Sequence, residues 1–344
     1  MIPAGARLQW LAAMEPRVCA VVVTHNRRAL LGECLAALGT QTRPLDRLLV
    51  VDNASTDGTP GMVRTGHPEV ELLELPRNVG SSGGFHEGLK AAHDGAADWL
   101  WLMDDDTIPA VDALEQLLVA PLALDGLPRP LLLSSLALWT DGTLHPMNIP
   151  GLERRRPELV IRAAERGLMP VRATTFVSLL VHREAVERHG LPLAHFFIWS
   201  DDIEYTGRIL RDGTGYLVPA SVVCHKTRAA HTALSDSGGR FYFHVRNTLY
   251  MIRGRSWDAR EKLTLGWILL TSSVAYLRRN SLSPASVLTV LRGMRDGLRP
   301  VPHRSLRRYA AHHVRDGVRG GRDPQPPDSA ARVPDSPGGP NPST

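Results

Sequence analysis

The 344-residue sequence holds only three cysteines, Cys19, Cys34 and Cys224, widely separated and without a CxxC pair. An odd, scattered set excludes a disulfide framework and a cysteine-rich zinc site. It fits a reducing compartment, with Cys19 and Cys34 as small core residues. Long apolar runs are also missing. The longest stretch, Leu263 to Leu277, is interrupted by Thr264, Gly266, Thr271, Ser272 and Ser273, and is too short for a membrane span. The first residues, MIPAGARLQWLAAMEPR, lack the basic start and apolar run of a secretory leader. Neither GxxxxGK[ST] nor GxGxxG occurs, which removes the P-loop and the dinucleotide fingerprint. Lysine is absent where charge concentrates. Tyr276 to Arg322 carries eleven arginines and no lysine, against Asp296 and Asp316. That segment is +9, so the rest of the chain holds −4 of the net +5. A basic end on a mildly acidic body predicts a polyanionic partner, and anionic lipid and nucleic acid both satisfy the charge pattern.

What is present is an alternation. Val18–Thr24 is a short, β-branched apolar run, as a strand buried on both faces should be. Leu30, Leu31, Cys34, Leu35 and Leu38 then recur at helical spacing. Leu48–Val51 is a second buried strand, Glu71–Leu75 a third and Trp99–Met103 a fourth. Gly84–His93 has helical spacing, and Pro109 reads as the first residue of a helix through Val119. Further strands are predicted at Arg172–Val181, Tyr216–Pro219 and Ser221–Cys224. Helices are predicted from about Asp201 to Arg211, at Phe241–Arg253 and at Lys262–Arg279. The stretch from Asp125 to Pro170 gives no clear pattern. This rhythm predicts an α/β fold with a mostly parallel central sheet flanked by helices and a C-terminal helical extension. Such sheets take ligands beyond the carboxyl ends of their strands.

Asp52 and the run Asp104-Asp105-Asp106 each sit just past a strand end. Three adjacent carboxylates repel one another and call for a cation. Residues two apart on extended backbone share a side, so Asp104 and Asp106 aim together while Asp105 points elsewhere. Hard oxygen ligands suit Mg²⁺ or Mn²⁺ bridging to substrate phosphates. A solvated acidic turn capping the next helix is the alternative. Asp52 suits a nucleotide hydroxyl or base, or equally an Asx turn. Asn78 to Phe85 is glycine-rich before a helix, which permits close backbone approach to a ligand. Asp201 and Asp202 follow an aromatic run. They read either as a carboxylate tuned for general base work or as acidic residues at a helix start. His225 ends a strand and is either a metal ligand or structural.

In order and content these pieces resemble glycosyltransferase family 2. They are CAVVVTHNR, LLVVDNASTDGT, ELPRNVGSSGGFHEGL, WLWLMDDDTIP, FFIWSDDIEYTGRI and VVCHKT, covering about residues 17 to 230. Within the family the chain is similar to bacterial galactofuranosyl- and rhamnosyltransferases, and FYFHVRNTLYMIR adds to that likeness. The resemblance implies a GT-A fold and an inverting hexosyltransferase using a UDP- or dTDP-sugar and Mn²⁺ or Mg²⁺. It implies that Thr24, His25, Arg27, Asp52, Asn78, Gly83, Gly84, Asp104 and Asp105 surround the nucleotide sugar. Asp104, Asp106 and His225 would hold the metal. Asp202 would deprotonate the acceptor hydroxyl, with Trp199 and Asp201 on the acceptor side. Ser200 stands where relatives carry an acidic or aromatic residue.

The implied acceptor is a lipid-linked or polysaccharide glycan. The basic segment then favours the inner face of the cell membrane over nucleic acid. Trp267, Ile268, Leu269 and Leu270 beside Arg278 and Arg279 suit an interfacial helix. Packing on the catalytic domain, or pairing of two subunits, is the alternative. The expected organisation is an N-terminal extension at 1–16 and a GT-A domain at 17–235. A basic helical region at 236–318 and a disordered tail at 319–344 complete it. Two rival functions remain: a sugar-phosphate nucleotidyltransferase, which would want a basic glycine-rich signature near the N-terminus, and a non-catalytic module binding polyanions. Retention of the full acidic set argues against the second.

Overall fold

A computed structural model of the chain describes residues 16–228 and 238–300. The expected N-terminal extension lies outside them but for its last residue. So do the expected disordered tail and the arginines beyond residue 300.

The elements run β1 (Val18–Thr24), α1 (Arg28–Gly39), β2 (Arg47–Asp52), α2 (Thr59–Gly66), β3 (Glu71–Glu74), α3 (Gly80–His93), β4 (Trp99–Asp104) and β5 (Thr107–Pro109). They continue with α4 (Ala113–Val119), β6 (Leu132–Leu138), β7 (Gly151–Leu152), α5 (Pro157–Ala164), β8 (Met169–Ala173), β9 (Leu179–His182), α6 (Arg183–His189) and α7 (Asp201–Ile209). Last come β10 (Gly215–His225), α8 (Phe241–Arg253), α9 (Ala259–Arg279) and α10 (Pro284–Leu298). The strands form one ten-stranded open sheet in the order β3-β2-β1-β4-β9-β6-β10-β8-β7, with β5 on β10. Strands β3, β2, β1 and β4 are mutually parallel. Beyond them the sheet is mixed: β9 is antiparallel to both β4 and β6, while β6 and β10 are parallel.

Alternation along β1 and β4 divides the core in two. Val18, Ala20, Val22, Trp101 and Met103 join one cluster with Leu31, Leu35 and Leu38 of α1 and Leu114 and Leu117 of α4. Cys19, Val21, Val23, Leu100 and Leu102 join the other with Phe85 and Leu89 of α3 and Tyr205 and Ile209 of α7. Every residue of β1 is buried, because both faces of the sheet are covered. Gly83 and Gly84 lie inside α3 rather than in a loop. A Cβ there would press on Val79 and Val23, so their smallness serves helix packing.

Three predicted boundaries change. Pro109 opens no helix. It ends β5, which pairs antiparallel with β10 through Pro109↔Val223, and Ala110 N–H donates to the Val222 carbonyl at 3.0 Å. A proline without an N–H is tolerated at such a short strand end. Helix α4 begins only at Ala113, where Gln41 Oε1 accepts from Leu114 N–H at 3.1 Å. The run Arg172–Val181 is two strand pieces, not one. The Thr206 side chain accepts from Thr174 N–H and donates to its carbonyl, and Ser178 turns the chain with φ +55°. Strand β8 then pairs with β10 and β7, while β9 joins β4 and β6. Conversely, the two predicted strands at Tyr216–Cys224 are one strand with a bulge between Val218 and Val222.

Helices α8, α9 and α10 form a C-terminal layer with its own small core of Phe241, Val245, Leu269, Tyr276 and Val290. The Phe241 and Tyr276 rings stack at 4.1 Å. Arg172 ties this layer to the sheet. It donates to Glu261 at 2.7 Å, to the Gly207 and Ser256 carbonyls at 2.6 Å each, and lies over the Trp257 ring. Leu269 is buried in this core, whereas Trp267, Ile268 and Leu270 are exposed.

Candidate active site

The site is built by register. Thr24 is opposite Asp52 and Val23 is opposite Asp104, so the ends of β1, β2 and β4 lie side by side. The chain turns after Asp104 into β5, whose Thr107 is opposite His225 at the end of β10. Lys226 N–H donates to the Asp106 carbonyl at 2.8 Å. That pairing carries His225, more than a hundred residues downstream, to the aspartate run.

Asp105 and Asp106 lie in the turn after β4, and Asp105 is engaged by Thr24 and Arg27. It accepts from Thr24 Oγ1 at 2.7 Å and from Arg27 at 3.5 Å. Arg27 also contacts Asp106 Oδ2 closely. Asp106 Oδ1 is buried and has no hydrogen-bond donor. It faces His225 Nε2 at 3.2 Å. His225 Nδ1 lies 2.8 Å from Asn148 Oδ1, and Asn148 is oriented by donating to Thr175 Oγ1 at 2.9 Å. The Nδ1 hydrogen is thereby committed to Asn148, so Nε2 is the ring atom that meets the Asp106 carboxylate. As an imidazolium it donates to that carboxylate; as a neutral ring it presents a second acceptor, and the pair then calls for a cation between them. One atom each from Asp104, Asp106 and His225 lies within 4.8 Å of the others. Two carboxylates and an imidazole fit a divalent ion such as Mn²⁺ or Mg²⁺.

Charge tells the same story. Burial and the Asp106 and Asp105 carboxylates push Asp104 well above the usual carboxylate range. Burial raises Asp105 to about 7. Burial also opposes ionisation of Asp106, but His225 and Arg27 hold it down at about 2. Ionising all three together therefore needs an added positive charge.

Asp52 Oδ2 accepts from Ser55 N–H, three residues on, at 2.9 Å, a local loop contact rather than the Asx turn of the alternative reading. Its other oxygen, Oδ1, is buried without a partner and remains free for a ligand. His25 Nδ1 is likewise buried and unpaired. Asn78 and the glycine stretch behave differently. Asn78 Oδ1 accepts from Gly80 N–H at 2.8 Å, and Ser82 N–H donates to the Phe197 carbonyl at 3.1 Å. These amides at the start of α3 are spent on the protein itself. Asn53, which the sequence reading passes over, holds this turn through Gly80 O and Val79 N–H, both at 2.9 Å.

The opposite wall is the loop leading into α7. Phe197, Trp199 and Ser200 have φ of +65°, +66° and +64°. Each such residue costs about 1 kcal/mol or more, a strain that persists only where surroundings impose it. Asp201 and Asp202 follow as the first residues of α7. Burial raises Asp201 to about 6, and burial together with Asp201 raises Asp202 to about 8. Asp201 also raises Asp104, though less than Asp106 and Asp105 do.

Among the missed residues, Asn148 had no sequence signal. It lies in the stretch between Asp125 and Pro170 where no pattern was legible. His145, whose ring lies tilted by 39° against that of His225 at 4.6 Å between centres, shares that stretch.

Comparison with known proteins agrees with this geometry. Residues 19–120 match the family model for glycosyl transferase family 2. The chain is 31% identical over 277 residues to galactofuranosyltransferase GlfT1 of Mycolicibacterium smegmatis, across 74% of this chain and 90% of that protein. It is 25% identical over 299 residues to the N-acetylglucosaminyl-diphospho-decaprenol L-rhamnosyltransferase of Mycobacterium tuberculosis, across 76% and 95%. The solved structure of S. aureus TarS 1–349 in complex with UDP superposes with TM-score 0.56 at 14% identity, over 84% of this chain and 82% of that one, a likeness of fold. The sheet is that of a GT-A fold, the acidic run closes its central strand, and nine-tenths of a relative aligns at 31% identity: the chain is a sugar-transferring enzyme of glycosyltransferase family 2.

Proposed function

We propose that this glycosyltransferase moves galactofuranose or rhamnose from a UDP or dTDP donor onto a lipid-linked or polysaccharide acceptor of a cell-wall or surface glycan, with inversion. The observation that carries the reading is the Asp106 Oδ1 and His225 Nε2 pair, 3.2 Å apart with the imidazole turned by Asn148. The printed activities of the aligned relatives, galactofuranosyl and decaprenol-linked rhamnosyl transfer, support the sugar and acceptor classes.

Asp104, Asp106 and His225 would hold Mn²⁺ or Mg²⁺, which would supply positive charge against the diphosphate. Asp52 Oδ1 and His25 Nδ1 offer buried, unspent polar atoms to the nucleoside. Thr24 and Arg27 keep Asp105 and Asp106 in place. Asn78 shapes the turn behind the donor through Gly80, and Gly83 and Gly84 let α3 pack closely against Val79 and Val23. Asp202 takes the proton of the acceptor hydroxyl. Its carboxyl near 8 exchanges a proton close to neutral pH, as a general base should. Trp199 and Asp201 flank the acceptor.

No helix among the described residues is long and apolar enough to cross a membrane. Two helices nevertheless expose apolar stripes at helical spacing: Leu263, Trp267, Leu270 and Val274 on α9, and Val287, Leu291, Met294 and Leu298 on α10. Arg260 and Arg278 lie near the first, Arg292, Arg295 and Arg299 near the second. A basic, apolar surface of this kind supports peripheral contact with the anionic inner face of the membrane, where a lipid-linked acceptor resides.

The test is a transfer assay with the full chain, UDP-galactofuranose or dTDP-rhamnose, and a polyprenyl-diphosphate disaccharide. Product should form, vanish with EDTA, and return with Mn²⁺ or Mg²⁺. Productive turnover of free nucleoside triphosphates with sugar phosphates instead would favour the nucleotidyltransferase.

A further inference from the structure

The strained loop before α7 is held from behind by α8. Asn247 is fully buried. Its Nδ2 donates to the Phe196, Ile198 and Trp199 carbonyls at 3.1, 2.9 and 2.8 Å. Arg246 Nη2 donates to the His195 and Phe196 carbonyls at 2.9 and 2.7 Å. Arg246 Nε donates to Asn247 Oδ1 at 3.0 Å, which fixes the amide with its donors toward the loop. The remaining carbonyls go elsewhere. Phe197 O accepts from Ser82 N–H of α3, and Ser200 O accepts from Glu204 N–H inside α7. Every carbonyl from His195 to Ser200 therefore has a named donor. Gly80 is required at the α3 side, since a Cβ there would collide with the Phe197 carbonyl. The Phe197 ring stacks on Phe243 of α8 at 5.1 Å, and the Arg246 guanidinium covers that ring.

Three left-handed residues in four do not hold themselves. A loop in this state opens unless side chains bind its carbonyls in that one arrangement. We propose that Asn247, seconded by Arg246, is a positioning residue for sugar transfer: it locks residues 195–200 so that Trp199, Asp201 and Asp202 stand on the acceptor side of the cleft. The inference rests on the reading of Asp202 as the base. The C-terminal helical layer is thereby part of the acceptor site and more than an attachment to the catalytic domain. Helix α8 grips the loop while Val245 and Phe241, on the same helix, pack in the layer that carries the exposed apolar stripes.

The test uses the full chain with Asn247→Asp, which keeps the shape and removes both donors, and Arg246→Gln as a milder second variant. Backbone hydrogen exchange at 196–200 should accelerate at least tenfold in Asn247→Asp and by less in Arg246→Gln, with the amides of Val18–Thr24 unchanged. Binding of UDP with Mn²⁺ should stay within twofold. Transfer from UDP-galactofuranose to an n-octyl glycoside should fall about 10- to 100-fold. Unchanged exchange at 196–200 in a folded variant overturns the proposal, as does loss of UDP binding in parallel with transfer. The exchange arm needs no turnover, so it answers even where the donor or acceptor assignment fails. Should Asn247→Asp not fold, Arg246→Gln alone decides by the same two readouts.

Discussion

The two walls of the cleft are positioned by different kinds of bond. On the donor wall, Thr24, Asp52 and Asp104 stand at the ends of neighbouring parallel strands, and ladder register alone sets their spacing. On the acceptor wall, residues 195–200 belong to no sheet. They are strung between α3 and α8 by donors to their carbonyls, the Ser82 backbone N–H from α3 and the Arg246 and Asn247 side chains from α8. The carboxylates differ in the same sense. Asp106 is held near 2 by His225 and Arg27, ready to meet a cation. Asp202 is raised to about 8 by burial and Asp201, ready to take a proton. On the proposed reading one wall serves fixed charge and the other a movable proton, and a transferase needs both within reach of one sugar.

The sharpest way to break that division is to remove one carboxylate from each wall. Asp106→Ala deprives the cation site of the residue that His225 faces. It should abolish Mn²⁺ binding in a titration and lower kcat/KM by about 10³-fold or more. The melting temperature should fall by a few degrees at neutral pH, since the ionised Asp106 carboxylate, held low by His225 and Arg27, contributes stability there. Asp202→Asn should lower kcat by roughly 10²- to 10⁴-fold while Mn²⁺ and UDP affinity stay within twofold. In the unaltered enzyme, transfer should rise with pH and level off above about 8, because the base must be unprotonated. The residual activity of Asp202→Asn should lack that rise. If Asp202→Asn loses UDP binding along with turnover, the walls are not separate.

The same division sets what the sequence made legible. The donor wall is written locally. VCAVVVT is a buried strand by composition, WLWLMD alternates between two cores, and the aspartates follow directly. The grouping of Asp104 with Asp106 was legible in the same way, and one atom of each lies near His225. The rest depends on pairings with no local signature. Pro109 was misread as a helix start because its partner, Val223, lies far along the chain. Arg172–Val181 was misread as one strand because the break is imposed by the Thr206 side chain. Ser200 looked like a departure from a family pattern, yet its φ of +64° shows a backbone constraint that no motif expresses. Glycines 83 and 84 looked like a ligand cradle, and only the contacts with Val79 and Val23 reveal their packing duty.

A milder perturbation probes whether the donor wall depends on its outer support. Asn148 touches no aspartate but fixes the ring of His225 by accepting from Nδ1. Asn148→Ala should weaken Mn²⁺ binding about 10- to 100-fold, the usual consequence of freeing a metal-ligating imidazole. Added Mn²⁺ should then restore most of kcat. Failure of excess Mn²⁺ to restore turnover would place Asn148 in substrate contact, and unchanged affinity would mean that His225 is oriented by the tilted ring of His145 packed against it.

The smallest effect distinguishes the walls by stability. In the unfolded chain Asp202 ionises near the usual carboxylate value, about 4. In the folded chain it keeps its proton until about pH 8. Between those values the folded state binds more protons, so stability falls as pH rises, and above about 8 the loss is complete and constant. Asp202→Asn removes that penalty. The variant should match the unaltered protein near pH 4 and exceed it increasingly up to pH 8, by on the order of 1–3 kcal/mol, or a few degrees in melting temperature. Asp106 has the opposite sign. Its depressed value contributes stability above about pH 4 that is lost as pH falls toward 2. A melting curve series in which Asp202→Asn gains nothing at pH 8 would show that the acceptor wall already holds its charge without strain. The cost of keeping a base poised there would then have to lie in the backbone of residues 197–200 instead.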